Sequence, residues 1–300
     1  MKTGTTPVLL CFDDEQESGA RIAQAAHLRL AIIERHRFPD GELKLRLPTE
    51  LPEQLVILRS LADPNDKLIE LLLAAQTARA IGARHLTLVA PYLAYMRQDL
   101  AFLPGEAVSQ RIVGRFLAAL FDALITVDPH LHRVTSLQQA VPVSQAIVLS
   151  AAPLLSDLIA THRKNPLLIG PDAESMQWIA LAAARHGFDH AVCQKVRHGD
   201  RAVELALPER SVAGRQLVLL DDVVSTGHTI AQATQLLLAA GAASVDVAVT
   251  HAIFAGDAMG LIRTAGVGKV WSTDCISHTS NAVSMSASIA AALNQLLTGA

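Results

Sequence analysis

A chain of 300 residues, 51% hydrophobic but only 4% aromatic, is longer than one small core needs; its apolar content, mainly Ala, Leu, Val and Ile, suits parallel strands covered by helices in about two domains. With 25 basic against 28 acidic residues and a net charge of -3, it has no overall positive field for nucleic acid or an anionic membrane, so a small ligand is the better expectation. Cys11, Cys193 and Cys275 are scattered and lack any CxxC spacing, which excludes a disulfide framework and a zinc cluster and predicts buried, inert thiols in a cytoplasmic protein.

The opening "MKTGTTPVLLCFDDE" has an apolar run too short for a secretion leader or a membrane span, and no later run is long enough to cross a bilayer. "PVLLCF" reads instead as a first strand, followed by "QLVILRS", "HLTLVAP" and "ALITVD". After "LADPNDK", Leu68, Leu71, Leu72 and Ala75 have helical spacing, with Asp63 or Asn65 as a cap and Pro64 in the first turn. Pro142 and Pro153 interrupt the pattern around "QQAVPVSQAIVLSAAPLLSDLI". Strands then resume as "PLLIGP", "HAVCQK", "QLVLLDD", "SVDVAVTHAIF" and "KVWSTD". Between the last three, Ile230, Ala233, Leu236, Leu237 and Ala240 line one helix face that Gly241 ends. This alternation predicts an α/β protein of two similar domains, each a mainly parallel β-sheet flanked by helices. The expected boundaries are residues 1–146 and 147–300, with the last helix packing back on the first domain. The halves echo each other, since "TLVAPYLAYMRQD" and "LITVDPH" resemble in layout "LLIGPDAES" and "VLLDDVVST".

In open α/β sheets ligands bind beyond the carboxyl ends of strands, and there "VLLDDVVSTGHTI" stands out. A strand ending at Leu220 puts Asp221 and Asp222 at the sheet edge, ahead of a loop from Val223 to His228 and a helix from near Thr229. The loop's N–H groups, Gly227, the hydroxyls of Ser225, Thr226 and Thr229, and the helix N-terminus suit a phosphate. The two acids suit hydroxyls or a metal cation, so a phosphorylated sugar fits both. A turn cap would account for a lone Asp pair. It does not account for the whole string, because adjacent carboxylates near a buried strand end are costly without a ligand.

The same string resembles the phosphoribosyl diphosphate (PRPP) signature shared by type I phosphoribosyltransferases and ribose-phosphate diphosphokinases. The resemblance implies that Asp221 and Asp222 hold the ribose hydroxyls and that Ser225, Thr226, Gly227, His228 and Thr229 hold the 5-phosphate. Many diphosphokinases have Asp where Ser225 stands and most have a second Gly where His228 stands, a position that could require φ > 0.

Other segments resemble the diphosphokinases in that family's order. "FPDGELKLRLP" is similar to the FxDGE element that reaches a neighbouring subunit's ATP site, implicating Phe38, Asp40 and Glu42. "PYLAYMRQDLAFLPGEAVS" is similar to the PYxxYxRQD segment, implicating Arg97, Gln98 and Asp99 in ATP binding, with Leu100 in place of a frequently basic residue. "VDPHLHRV" and "IGPDAES" are similar to segments that carry metal ligands, here His130 and Asp172, and His132 reads as structural. "CQKVRHGD" is similar to the catalytic loop, with Lys195 and Arg197 as its cations, and "THAIFAGDAMGLI" and "STDCISH" follow the C-terminal pattern.

Each piece alone has a plainer explanation: Asp40-Gly41 makes a hairpin turn, Arg97 and Asp99 a surface pair, His130 a structural hydrogen bond. Only a phosphate-rich substrate makes all these charges converge.

The implied reaction is transfer of the diphosphoryl group of ATP to the 1-hydroxyl of ribose 5-phosphate with Mg²⁺, in a homo-oligomer that shares its ATP site. A phosphoribosyltransferase consuming PRPP explains the Asp221–Thr229 string but not the FxDGE and RQD segments. A catalytically silent regulatory homologue would have no need of Lys195, Arg197, His130 and the Asp pair together.

Overall fold

The computed structural model describes residues 7–131, 133–198 and 202–298. The first half runs β1 (Val8–Cys11), α1 (Gln16–Ala26), β2 (Arg29–Ile32), β3 (Glu34–Arg37), β4 (Leu43–Arg46), β5 (Gln54–Leu58), α2 (Pro64–Ile81), β6 (His85–Ala90), α3 (Ser109–Leu120), β7 (Ala123–Val127), the short α4 (Leu137–Ala140) and β8 (Gln145–Leu149). The second half runs α5 (Ala152–His162), β9 (Leu167–Gly170), α6 (Met176–His186), β10 (Asp189–Val192), β11 (Gln194–His198), β12 (Ala202–Ala206), β13 (Gln216–Val224), α7 (His228–Ala239), β14 (Ser244–Ala252), α8 (Ala258–Thr264), β15 (Val267–Thr273) and β16 (Asn281–Val283). A last helix, α9 (Ser286–Thr298), follows. The chain divides into two compact units, residues 1–149 with 285–300, and residues 150–284.

Each unit is built on a six-stranded sheet, ordered β2-β1-β5-β6-β7-β8 in the first and β10-β9-β13-β14-β15-β16 in the second. Every pairing in both sheets is parallel. Counted within its own unit, each strand has the same place in the order, and each sheet is followed at its second strand by an antiparallel hairpin, β3–β4 or β11–β12. The spacing repeats as well: Gln16 to Met176, Arg29 to Asp189 and Glu34 to Gln194 are equal steps along the chain.

Parallel sheets need cover on both faces. In the first unit Val8, Leu10, Leu55, Ile57, Leu86 and Leu88 pack with Leu71, Ala75 and Ala78 of α2 and Leu117 of α3. The intervening Leu9, Cys11, Val56 and Leu58 are equally buried, on the face met by α1 and α9: a Cβ on Gly19 of α1 would stand 2.8 Å from Cys11 Sγ, and α9 packs along α1. In the second unit Leu167, Ile169, Leu217, Leu219, Val245 and Val247 pack with Ile230, Ala233 and Leu237 of α7 and Ile262 of α8. There α5 and α6 pack together and against the sheet.

Pro64 occupies the first turn of α2 with Asp63, not Asn65, at its N-cap. Gly241 has φ 90° just past α7, as a helix stop requires. All three cysteines are buried. Burial, aided by Glu15 and Asp14, pushes the Cys11 thiol up to about 12. Burial, aided by Asp172, pushes Cys193 up to about 11, so both are neutral thiols at physiological pH. Among the described residues no helix is long and apolar enough to cross a membrane.

Candidate functional site

In both sheets the strand order reverses between the first and third strands of the sheet in chain order, β1/β5 and β9/β13, and ligands of open α/β sheets bind at such reversals. At the second one, β13 runs to Val224, four residues beyond the expected end at Leu220. Asp221 pairs in register with Val249, and Val223 with His251, so both acids lie inside the strand. Longer β14 explains this, since it supplies backbone partners out to Ala252. Asp222 is 3% exposed and Asp221 is half-buried, its carboxylate accepting from the Asp222 N–H at 3.0 Å. Burial first, then the charges of Asp222 and Asp172, pushes the Asp221 carboxyl well above the ordinary carboxylate range.

Asp172 stands just after β9, where its side chain caps a short turn by accepting from the Glu174 N–H. Gly170 lets that turn lie close: a Cβ there would sit 2.2 Å from Ser175 Oγ and 2.3 Å from Ile179 Cδ1. Three acids thus share one end of the sheet. Among the described residues no three His, Cys, Asp or Glu side chains form a ready-made metal group. The donors here are all carboxylate oxygens, and they fit a hard divalent cation that keeps part of its shell for substrate oxygens.

The loop after β13 is short, Ser225–Gly227, and α7 begins at His228 rather than near Thr229. Gly227 has φ 78°, and its Cα faces Ile262 and Ala258, where a Cβ would meet atoms at 3.1–3.3 Å. His228 is the first helical residue, is exposed and has no positive φ. The left-handed position therefore falls on Gly227, and a side chain at 228 meets no backbone conflict. The loop is backed by the next connection, because Phe254 N donates to Val224 O at 3.0 Å and Ala255 N to Ser225 O at 2.9 Å. Ser225, Thr226 and Thr229 border the open first turn of α7, an anion-binding geometry.

Lys195 and Arg197 alternate along β11 opposite Leu205 and Val203 of β12; their side chains lie outside the described ones. Through the equal spacing of the units they match Arg35 and Arg37 of β3.

In the first unit, Phe38, Asp40 and Glu42 form the tip of the β3–β4 hairpin. Phe38 N donates to Glu42 O at 2.8 Å, Gly41 N to Phe38 O at 2.9 Å and Glu42 N to Asp40 Oδ1 at 3.1 Å. The Phe38 ring stands edge-on to His36 at 4.8 Å. Arg97 and Gln98 are exposed after β6, and Asp99 is buried. Asp99 accepts from Arg133 Nη1 at 2.5 Å, and buried Gln110 steadies the segment by donating to Met96 O at 3.1 Å. His130 is half-buried just past β7.

Four features were not apparent from sequence patterns: Arg133, Gly170, the Phe254–Ala255 brace, and an ion network at the first reversal. In that network Arg59, 1% exposed, pairs with Asp14 at 2.8 Å, Glu15 at 3.2 Å and Glu70 at 2.5 Å, and lies over the Phe12 ring at 4.6 Å. Its only sequence signal is three acids, Asp13–Glu15, after the first strand, in the place that Asp172 and its turn occupy in the other unit.

Residues 8–120 match the sequence model of the N-terminal domain of ribose phosphate pyrophosphokinase, and residues 139–259 match that of the phosphoribosyl transferase domain. The chain is 33% identical over 293 residues to a ribose-phosphate pyrophosphokinase of Methanopyrus kandleri, covering 96% of this chain and 99% of that one. It is 34% identical over 281 residues to one of Methanosarcina acetivorans, covering 92% and 95%. In fold it is similar to the phosphoribosylpyrophosphate synthetase of Mycobacterium smegmatis, with a TM-score of 0.84 and 21% identity over 99% of this chain and 100% of that one.

Proposed function

The chain belongs to the ribose-phosphate pyrophosphokinase family, and from that premise we propose that it transfers the diphosphoryl group of ATP to the 1-hydroxyl of ribose 5-phosphate, forming PRPP and AMP. The observation that carries the ribose site is the pairing of Asp221 and Asp222, at the end of β13, with the Ser225–Gly227 loop and the start of α7. An acid raised by burial and then by its neighbours gains most when hydroxyl donors or a cation arrive. The open helix end gains most from a phosphate. Ribose 5-phosphate brings both, with its 2- and 3-hydroxyls on the acids and its 5-phosphate on Ser225, Thr226, Gly227, His228 and Thr229. The imidazole of His228, exposed at the first helical position, adds a donor there.

In the reaction the ribose 1-oxygen bonds to the β-phosphorus of ATP as the bond from that phosphorus to the α,β-bridging oxygen breaks; the 1-hydroxyl proton passes to solvent, and AMP leaves with the bridging oxygen. Positioning and charge stabilisation carry such a transfer. Lys195 and Arg197 supply cations for the transferred group, Arg as a planar fork and Lys as a point charge. Arg97, Gln98 and Asp99 hold ATP in the same chain, and Phe38, Asp40 and Glu42 hold the ATP of a neighbouring subunit, which makes the protein a homo-oligomer. Mg²⁺ would neutralise the polyphosphate; Asp172, with a contribution from the Asp221–Asp222 pair, is the metal-holding side chain assigned in the second unit, and His130 the one assigned in the first. On this assignment the first unit is the ATP and oligomerisation half, the second the ribose 5-phosphate half, and the enzyme works in the cytoplasm.

The deciding test follows AMP and PRPP from purified protein with Mg²⁺, ATP and ribose 5-phosphate. PRPP should form with wild type, and the Asp221→Asn, Asp222→Asn double variant should lose most of it. Full activity in that variant would remove the ribose site from these residues. Consumption of PRPP with a free base, without any ATP-dependent synthesis, would place the protein among the transferases.

A further inference from the structure

The first turns of α2 touch both segments to which the proposed function assigns ATP, yet belong to neither. From the hairpin, Arg35 Nη1 donates to Glu70 Oε1 at 2.6 Å and Arg37 Nη2 donates to Asp66 Oδ2 at 2.6 Å. From the other segment, the Tyr95 hydroxyl donates to Asn65 Oδ1. Asp66 and Glu70 are one turn apart and so share a helix face, the face that receives both hairpin arginines. Tyr95 lies two residues before Arg97, and its φ of 63° is a left-handed conformation that a bulky residue holds only when its surroundings fix it. The support itself is firm, with Pro64 starting the helix and Glu70, 1% exposed, paired also with Arg59.

We propose that Asn65, Asp66 and Glu70 are positioning residues for ATP, forming one bracket that fixes the Phe38–Glu42 tip and the Arg97–Asp99 segment relative to each other. This rests on the assignment of ATP to those two segments. Because the tip serves the neighbouring subunit, the bracket sets in one stroke the geometry of a chain's own nucleotide site and of the site it helps to complete.

The test uses the full-length protein and steady-state kinetics in ATP and in ribose 5-phosphate separately. Asn65→Ala, Tyr95→Phe and Asp66→Asn should each raise KM for ATP about three- to tenfold, the effect of one lost hydrogen bond, while KM for ribose 5-phosphate and the melting temperature stay near wild type. The swapped pair Arg37→Asp with Asp66→Arg should recover part of the loss seen with Asp66→Asn. Equal rises in both KM values, or a fall in melting temperature without a change in KM for ATP, would reduce these residues to structural ones. Phe38→Ala and Gln98→Ala separate the premise from the inference. If those two raise KM for ATP and the bracket variants do not, the bracket is wrong; if those two also leave it unchanged, the ATP assignment fails and the bracket with it.

Discussion

Gly227 and Asp221 carry most of the proposed ribose-phosphate end. At Gly227 a side chain would have to adopt φ near 78° and meet Ile262 and Ala258 at 3.1–3.3 Å. Gly227→Ala should therefore lower stability by about 1–2 kcal/mol for the backbone alone, measured by urea titration, and raise KM for ribose 5-phosphate by displacing the loop. His228→Gly should do neither in the protein's favour, because α7 already starts there with ordinary helical φ and a helical Gly costs about 1 kcal/mol.

The raised carboxyl of Asp221 fixes a sign for pH. The folded protein holds that proton more tightly than the unfolded chain does. Stability from this group is thus lost as pH rises from the ordinary carboxylate value through the raised one. Asp221→Asn should consequently melt higher than wild type at neutral pH without ligand, and the gap should close below the ordinary carboxylate range. Thermal melts of both proteins across pH check this, and a gap that grows on acidification would contradict it. The acids and the loop were legible in the sequence because an apolar run, paired charges and small residues sit side by side. The register was not: the pairing of Asp221 with Val249 depends on the length of a distant strand.

Among the elements, the two hairpins place cationic residues at equivalent strand positions. Arg35 and Arg37 in the first are bound by Asp13 at 2.8 Å, Glu70 at 2.6 Å and Asp66 at 2.6 Å, whereas Lys195 and Arg197 hold the equivalent strand positions in the second. The first hairpin's ions feed the Arg59 network, in which Glu15 is raised, chiefly by burial and against the pull of Arg59. Glu70→Ala takes one buried acceptor from Arg59, which keeps Asp14 and Glu15, and should destabilise the protein by about 1–3 kcal/mol. Arg59→Met with Glu70→Leu should lose more, because Glu15, 12% exposed, is then left without Arg59. Urea denaturation of the single and double variants measures both. Equal losses in the two would mean the network is held by packing and not by charge. Apart from the Asp13–Glu15 run the sequence did not announce this network, because its partners are separated by 11 to 45 positions and charges at those spacings have no local pattern. The inner strands of both sheets and helices α2 and α7 were legible, since periodicity is local; β2, β8 and β16 at the sheet edges were not read, and β10 and β11, read as the single run "HAVCQK", are divided at Cys193, where the chain leaves the sheet for the hairpin.

Across the whole molecule, the two-domain α/β plan was visible in the alternation of strands and helices, and the matched strand orders give the echo between the halves a structural basis. The path of the chain adds what periodicity cannot, for α9 belongs to the first unit although residues 150–284 come before it. Spectroscopy can separate the units, because Trp178 and Trp271, the two tryptophans of the chain, both lie in the second. Leu293→Ala, at a fully buried position of α9, should destabilise the first unit by about 2–5 kcal/mol. It should move the circular-dichroism transition to lower denaturant while the tryptophan fluorescence transition stays in place. Coincident shifts would show that the two units unfold as one.

Because the helix that covers α1 lies downstream of the second unit, the order of synthesis inverts the order of completion. The ribosome releases the β1–β8 sheet with one layer of its cover still untranslated, and the second unit has all of its own residues before the first does. During that interval Ile22, Ala23 and Ala26 of α1 lack the partner helix that later packs along them, so the newborn chain carries an uncovered apolar face on the part made first.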